Sequence, residues 1–430
     1  MQRSKLDGRE YDVIVCGGGS AGTAAAYGAA KAGARTLLVE RLGFCGGTPV
    51  AAMIHTLDAV RSCEDTSLVV VGGYARELIA EVGEMGGLAT EDNPEEVLSL
   101  HPEFMKIAAD RLLTRAGVRT LYHATAIDTC LQDNRVCGIE VAVRDGRALL
   151  QARCVVDATG DAEVAHFAGV PWTLDEELQA ITYHFRLGQV ARGVTWRELE
   201  DGCRKAMERA DEQGNRVRYG GPWVIRLTES EVSINATRVY GNPIDPEELS
   251  ASEQQARESM LAVWRILRDG VPALRESYIV SGATELHIRE SRKIRGEYVL
   301  SEEDIVARRT FPDVIALGAW PIDIHPTDGY VGVHPHKENP PQPYEIPFGC
   351  LVPVDMDQLL VAGRPISTTH RAHGSTRVPG TSMATGQAAG VAAALAVKTC
   401  VMAREVEVSR LQQELRAQGA ILSMNQAVGR

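Results

Sequence analysis

Residues 11–40 read YDVIVCGGGSAGTAAAYGAAKAGARTLLVE, and this stretch decides the fold. The apolar run Tyr11–Cys16 predicts a buried parallel strand. A glycine-rich turn, Gly17–Gly22, follows it, and Thr23–Ala32 is then a run of strong helix formers. A second apolar run, Arg35–Glu40, predicts another strand. Strand, glycine turn, helix and strand in this order form one βαβ unit.

The glycine turn has the spacing of a dinucleotide-binding fingerprint. Gly17 permits a tight turn, Gly19 lets the backbone approach a pyrophosphate, and Gly22 allows close packing of helix on strand. The N-terminus of the helix offers free N–H groups to the phosphates. Glu40 ends the second strand about 20 residues further on, where an acidic side chain binds ribose hydroxyls. A turn built only for packing would leave Glu40 unexplained.

More glycine follows Glu40 than a nicotinamide dinucleotide requires. The loop after it contains Gly43, Gly46 and Gly47. Two further strand-to-glycine junctions occur at residues 157–160 and 362–364. A flavin dinucleotide is longer and needs backbone at close range in several places, so three glycine junctions at strand ends favour FAD.

The order of these segments predicts the architecture. Residues 171–345 differ in character, with scattered aromatic residues and a charged helix at about 246–268, and from residue 357 the strand-and-glycine pattern returns. We therefore expect an α/β fold. A Rossmann-like FAD-binding domain with a parallel sheet is assembled from both chain ends, residues 1–170 and 346–430. A mixed α+β substrate domain, largely antiparallel, is inserted at 171–345.

Taken together, the motifs resemble those of the FAD-dependent oxidoreductase family, within the glutathione-reductase-like flavoproteins and near the fumarate reductase flavoprotein group. The resemblance spans almost the whole chain. The matching segments are 17–22, 40–41, 45–48, 157–161, 288–298, 321–325, 344–347, 362–364, 369–377 and 381–390. Pro379-Gly380 departs from the residues that relatives often carry.

The resemblance implies which residues surround FAD. At the pyrophosphate it places Gly17, Gly19, Ser20 and Ala21, with Gly22 behind them. At the adenosine it places Glu40 on the ribose, Arg41 nearby and the backbone of Ala126 against the adenine. Along the flavin and its ribityl chain it places Gly46, Gly47, Thr48, Gly363 and Arg364. The middle junction is Ala158, Thr159 and Gly160, and Ser382 and Met383 begin a helix whose N-terminus points at the flavin N1–C2=O edge. Such a helix dipole would stabilise the reduced cofactor.

Three residues before that helix are candidates for catalysis. His370 and His373 lie in a predicted polar loop, Ser367–Gly380, and a histidine there can take a hydroxyl or amine proton. His370 is the first choice because it aligns with a histidine that recurs in the family. The alternative is a histidine that only bonds loop backbone. Arg377, in the same loop, is the best candidate for binding an anion.

Two other groups of residues have weaker functional interpretations. Arg289, Arg292 and Arg295 would share one face of a helix, or Arg289 and Arg295 one side of a strand, and could meet a carboxylate or phosphate. A solvated or ion-paired face is the favoured interpretation for any single arginine. Cys45 has no partner cysteine nearby in sequence, so we expect it to pack beside the flavin without a redox role.

Composition excludes several classes of protein. The 430 residues carry 45 Lys+Arg and 57 Asp+Glu, a net charge of −12, which argues against a nucleic-acid or anionic-membrane binder. Nine cysteines without a CxxC pair or zinc spacing predict reduced thiols, a cytoplasmic location and no metal site. The N-terminus has no signal-peptide pattern. The longest apolar stretch, Ala384–Ala403, is alanine-rich and interrupted, so we expect a buried helix.

The sequence thus predicts an enzyme that transfers hydride between a small polar, possibly anionic, organic substrate and flavin N5. Oxygen or an external electron carrier would reoxidise the FAD, since only one dinucleotide fingerprint is present. A reductase of activated C=C bonds would use the same site. An FAD-dependent RNA-modifying protein or a non-catalytic FAD-binding scaffold is the alternative from another class. Homo-oligomerisation is left open.

Overall fold

The computed structural model describes residues 2–89, 98–325, 336–338, 343–426 and 428–429. The first part contains β1 (Glu10–Cys16), α1 (Ser20–Lys31), β2 (Thr36–Val39), β3 (Leu68–Val69), α2 (Tyr74–Glu84), α3 (Pro102–Ala116), β4 (Arg119–Leu121), β5 (Thr125–Gln132), β6 (Arg135–Val143), β7 (Gly146–Asp157) and α4 (Glu163–Phe167). The middle contains β8 (Trp172–Thr173), β9 (Phe185–Gly188), α5 (Trp196–Glu212), β10 (Tyr219–Thr228), β11 (Glu231–Thr237), α6 (Pro246–Gly270), β12 (Tyr278–Gly282), β13 (Lys293–Ile294), α7 (Glu302–Val306), β14 (Val314–Gly318), β15 (Ile322–Ile324), β16 (His336–Glu338) and β17 (Tyr344–Pro347). The last part contains β18 (Leu359–Val361), α8 (His370–Thr376), α9 (Pro379–Thr399), α10 (Val408–Ala417) and β19 (Val428–Gly429).

A parallel sheet from both chain ends forms the centre of the molecule. Its order is β4-β2-β1-β7, and β18 pairs with β7 in parallel. Antiparallel β6 and β5 extend the sheet beyond the first half of β7. Cys16 pairs with Asp157, which in turn pairs with Val361. The carboxyl ends of β1, β7 and β18 are therefore level with one another, as the predicted Rossmann-like sheet requires.

Two helices of small residues, α1 and α9, pack very closely against each other on this sheet. A Cβ on Gly386 of α9 would lie 2.1 Å from the carbonyl oxygen of Ala21 in α1, and one on Gly390 would lie 1.9 Å from that of Ala25. Only glycine allows the backbones to come this near. The alanine-rich stretch is accordingly a buried helix, as predicted. In the part of the chain that the structure describes, none of the helices combines the length and hydrophobicity that crossing a bilayer requires.

The middle of the chain is largely antiparallel, as predicted. Strands β10-β11-β9-β12 form a four-stranded sheet in which every pair is antiparallel. Helices α5 and α6 pack on it around a core that includes Phe185, Leu199 and Val263. Beyond this sheet, isolated antiparallel bridges pair Thr182 with His287 and Ile181 with Val239. The domain boundaries stay a prediction, and residues 326–335 and 339–342 of the predicted insert lie outside the described residues.

The predicted loop at 367–380 is wrong in its secondary structure. Residues His370–Thr376 form α8, because the side chain of Thr369 caps the helix by accepting a hydrogen bond from the Ala372 amide. The helix alternative for Arg289–Arg295 is also wrong. There the chain is extended or irregular, with only β13 paired to β8.

Candidate functional site

A cleft opens where the three central strands end. One wall consists of the glycine junctions and the start of α9, and the other of residues 285–289 with part of α6. The lining residues used below are Gly17, Gly19, Ser20, Ala21, Glu40, Arg41, Gly47, Thr48, Asp58, Ala126, Ala158, Thr159, Gly160, Glu163, Glu285, His287, Arg289, Gly363, Arg364, Arg377, Val378, Pro379 and Ser382.

The first junction brings bare backbone to the cleft. Gly17 has a φ of +94°, and a Cβ there would lie 2.4 Å from the carbonyl oxygen of Ala158. A Cβ on Gly47 would lie 2.6 Å from the Cα of Gly19, so two loops touch through their glycines. Helix α1 begins at Ser20 without a side-chain cap, which leaves the first N–H groups of the helix facing the cleft. This arrangement fits an anionic pyrophosphate.

Glu40 fixes the position of this loop. Its buried carboxylate accepts hydrogen bonds from the Gly18 amide at 2.5 Å and from the Leu42 amide at 2.6 Å. Each oxygen keeps a second lone pair for a ligand hydroxyl. Next to it, the Arg41 guanidinium pairs with the Glu285 carboxylate at 2.6 Å, which links the two walls of the cleft.

The side chain of Arg364 links the second glycine junction, residues 157–160, to the third, residues 362–364. Asp157 first fixes the second junction. Asp157 accepts hydrogen bonds from the amides of Thr159 at 3.0 Å and Ala165 at 2.8 Å, which hold the turn after β7. Arg364 then donates to the carbonyl oxygen of Gly160 at 2.7 Å and to the carboxylate of Asp161 at 2.5 Å. Both turns therefore present their backbone to the cleft from fixed positions.

Helix α9 begins at the same cleft. Val378 and Pro379 lie in the cleft wall, and the N-terminus has no side-chain cap. The Gly380 amide donates to the carbonyl oxygen of Asp58 at 2.9 Å. The positive end of a 21-residue helix thus faces the cleft.

The opposite wall contains buried polar side chains. Burial and the neighbouring Arg289 guanidinium hold the pKa of His287 well below its usual range, so the imidazole is neutral. Among the described residues, its Nδ1 has no hydrogen-bond partner. Facing them, Arg377 lies just before α9 on the first wall and donates to the carbonyl oxygen of Asp323 at 3.1 Å. Near the second junction, burial and the charges of Asp161 and Asp157 raise the pKa of Glu163 to about 7.

The sequence from residue 12 to residue 415 matches the model of a protein family described as FAD dependent oxidoreductase. The chain belongs to this family. Its cofactor is FAD, as predicted, and the bare glycine backbone together with the two uncapped helix N-termini fits that group. The narrower placement among glutathione-reductase-like flavoproteins stays a prediction.

Individual relatives match less of the chain. A thiamine thiazole synthase from Metallosphaera sedula is 33% identical over 177 residues, 38% of this chain and 59% of the relative. One from Saccharolobus solfataricus is 32% identical over 173 residues, 37% of this chain and 58% of the relative. The chain thus spans less than two thirds of the length of these relatives.

Solved structures match over most of the chain at low identity. A geranylgeranyl bacteriochlorophyll reductase-like protein from Thermoplasma acidophilum has a TM-score of 0.48 and 14% identity, covering 95% of this chain and 83% of that one. A myxobacterial chondrochloren halogenase has a TM-score of 0.48 and 17% identity, covering 95% and 79%.

Most residues predicted to bind FAD line the cleft, and three lie behind its wall. A Cβ on Gly22 would lie 1.7 Å from the Gly17 carbonyl oxygen, so this glycine packs the helix against the turn. Gly46 has a φ of +128° and turns the loop beside Val50. Met383 is buried in α9. These three shape the wall from behind, and none of them lines the cleft.

Of the residues predicted to be catalytic, only Arg377 lines the cleft. His373 is fully buried, and its Nε2 lies 2.9 Å from the carbonyl oxygen of Arg289. Burial lowers its pKa to about 3. His373 therefore holds the segment that carries Arg289 and does not face the cleft.

His370 belongs to a separate charged cluster. Its Nδ1 lies 2.9 Å from the Glu290 carboxylate, which also accepts hydrogen bonds from the Lys293 ammonium at 2.7 Å and from the Gln179 amide at 3.5 Å. Lys293 also pairs with Asp175. The hydrogen bond with Glu290 raises the pKa of His370. Asp175, Glu290 and His370 could together hold a metal ion, yet the Lys293 ammonium already contacts both carboxylates.

The structure adds His287 to the candidate residues. Residues 286–289 are all in the cleft wall. The sequence signal was the alternation of His287 and Arg289, which places both polar side chains on one side of an extended segment. Arg292 and Arg295 diverge from them. Arg292 stacks on Trp172 with its guanidinium carbon 5.2 Å from the ring centre, and Arg295 is exposed.

Proposed function

We propose that this flavoenzyme oxidises a small polar organic molecule that binds in the cleft beside residues 287–289. One observation carries the proposal. The same cleft has the backbone cradle for a dinucleotide on one wall and neutral and cationic polar side chains on the other. A non-catalytic FAD-binding scaffold has no need of the second wall.

When bound, FAD supplies a two-electron acceptor that takes hydride from a substrate carbon at flavin N5. The N-terminus of α1 would hold the pyrophosphate, and Glu40 and Ala126 the adenosine. The start of α9, at Val378 and Pro379 in the cleft wall, would lie beside the flavin. There the helix dipole favours negative charge.

His287 is our candidate for taking the substrate's hydroxyl or amine proton. It replaces His370 and His373 in this role because it lines the cleft and they do not. Its imidazole is neutral, and its buried Nδ1 has no hydrogen-bond partner in the described part of the molecule. General-base assistance of this kind contributes about 10²- to 10⁴-fold to a rate.

Electrons would leave through oxygen or an external carrier. The sequence has one dinucleotide fingerprint, Gly17–Gly22, which is used for FAD. The same cleft could also reduce an activated C=C bond, with His287 on the proton side of that reaction. We further propose a cytoplasmic location, in keeping with nine cysteines that are all free.

The proposal is tested by mixing the FAD-loaded protein anaerobically with a panel of hydroxy and amino compounds. Oxidised flavin absorbs near about 450 nm, and a substrate bleaches this band. Each active compound is then tested on His287→Gln, which should bleach more slowly with unchanged FAD content. If no compound bleaches the band in the wild type while a C=C compound reoxidises chemically reduced protein, the reductase alternative is correct.

A further inference from the structure

Three arginines are buried together at the cleft wall. Arg289 is 2% exposed and Arg238 1% exposed, and the side chain of Arg377 is 7% exposed. Arg289 and Arg377 line the cleft. Arg238 lies behind Arg289, because both donate to the hydroxyl of Thr182, at 2.9 Å from Arg238 and 2.7 Å from Arg289.

The carboxylates facing this cluster do not balance its charge. Asp323 lies 3.6 Å from the Arg377 guanidinium, and the half-buried Asp58 and the buried Glu290 also act on Arg377. Glu290 already pairs with the Lys293 ammonium at 2.7 Å, so two carboxylates among the described residues are left to face the three guanidinium groups. The surrounding His184, His287 and His325 are neutral and add no further positive charge, since burial holds their pKa values well below the usual range.

The cluster also has hydrogen-bond donors to spare. Within the described ranges, Nε of Arg289, Nε of Arg377, and both Nε and Nη2 of Arg238 have no partner. A buried N–H that bonds nothing destabilises the fold, and a buried unpaired cation destabilises it more. Such a cost is characteristic of a binding site whose ligand supplies the missing partner.

We infer that Arg289 and Arg377 bind a carboxylate or phosphate group of the substrate in the cleft, with Arg238 adding charge from behind. This inference rests on the proposed function and names its substrate class, an organic anion. The guanidinium fork matches the two oxygens of either group. The bound anion also offsets the charge of Arg289 beside His287, so the imidazole becomes a better base when the substrate is in place.

The test uses FAD-loaded protein titrated separately with sodium acetate and sodium phosphate, with sodium chloride at equal ionic strength as the reference. Binding is followed by the flavin difference spectrum and by the rise in unfolding temperature. At least one oxyanion should bind saturably, and the stronger of the two identifies the group as carboxylate or phosphate. Arg289→Met and Arg377→Met should each weaken binding about 10- to 150-fold, as expected for loss of a charged hydrogen bond.

Arg295→Gln is the matched control, since this exposed arginine lies six residues along the same segment and should leave binding unchanged. If Arg289→Met does not fold, Arg289→Lys replaces it and should weaken binding less, because it keeps the charge and loses the fork. The inference is overturned if neither oxyanion does more than chloride, or if the arginine variants bind as the wild type does.

The two proposals can fail separately. Oxyanion binding that depends on Arg289, with no compound of the panel bleaching the flavin, would leave the anion site standing and remove the proposed oxidation. Bleaching by uncharged compounds that is unaffected by acetate, phosphate or Arg289→Met would support the proposed oxidation and remove the anion site.

Discussion

Replacing Gly17 by alanine tests whether the first glycine junction is the cradle for FAD. The residue has a φ of +94°, which a side chain makes unfavourable by about 1–2 kcal/mol. The added Cβ would also lie 2.4 Å from the carbonyl oxygen of Ala158, so one of the two turns must move. Overpacking of this kind costs about 1–3 kcal/mol.

Together these effects disfavour the binding-competent loop by about 2–5 kcal/mol, which corresponds to a loss of FAD affinity of about 30-fold to several thousandfold. The assay is titration of apoprotein with FAD, followed by quenching of flavin fluorescence. The unfolding temperature of each apoprotein is measured alongside, so that a change in affinity is separated from global unfolding.

Gly33→Ala is the matched control. Gly33 follows the other end of α1, has a φ of +92°, and has nothing within 4 Å of the Cβ position. This variant should lose about 1–2 kcal/mol of stability from the backbone alone and keep its FAD affinity. The interpretation of the cleft would be wrong if Gly17→Ala bound FAD as tightly as the wild type, or if both variants lost the same affinity.

Three further predictions concern the titratable groups. His287→Gln should slow flavin reduction by about 10²- to 10⁴-fold in rapid-mixing experiments at unchanged FAD affinity, and an unchanged rate would remove it from the mechanism. The hydrogen bond with Glu290 raises the pKa of His370, so the pair stabilises the fold while the histidine is protonated. This contribution to folding stability is complete below the ordinary imidazole pKa of about 6.5 and is lost as the pH rises through the raised pKa of His370. The fall in unfolding temperature over that range should therefore be smaller in His370→Gln, and parallel curves would contradict the pairing. Burial raises the pKa of Cys45 to about 12, so iodoacetamide at pH 8 should label the exposed Cys400 and leave Cys45 unmodified in native protein, as read by peptide mass spectrometry; early labelling of Cys45 would contradict its packing role.

Local signals were enough to predict the cofactor half of the molecule. The strand Glu10–Cys16, the glycine turn and the helix from Ser20 lie next to one another in sequence, so their chemistry is visible without tertiary information. The middle of the chain offered weaker signals. Helix α5 begins with a capping box formed by Thr195 and Glu198, a short polar pattern that marks one helix start and nothing about the sheet beside it. Strand β10 was hidden because Gly220, Gly221 and Pro222 interrupt its apolar pattern.

The second wall of the cleft, residues 285–289, could not be predicted because it depends on distant pairings. His287 reaches the cleft through its backbone hydrogen bonds with Thr182, more than a hundred residues earlier. His370 instead pairs with Glu290, which is 80 residues earlier in the sequence and is itself held by Lys293. The sequence around His370 does not show whether its side chain lines the cleft or pairs with a carboxylate elsewhere. Only the tertiary contacts decide which histidine lines the cleft.

The account places FAD in one cleft and in one orientation, and a crystal structure of the FAD-loaded protein tests that placement. It should show the pyrophosphate at the start of α1, the adenosine beside Glu40 and Ala126, and the flavin next to Val378 and Pro379 with its open face toward His287 and Arg289. Electron density for FAD outside this cleft, or in the cleft with the flavin at the Glu40 end, would contradict the account.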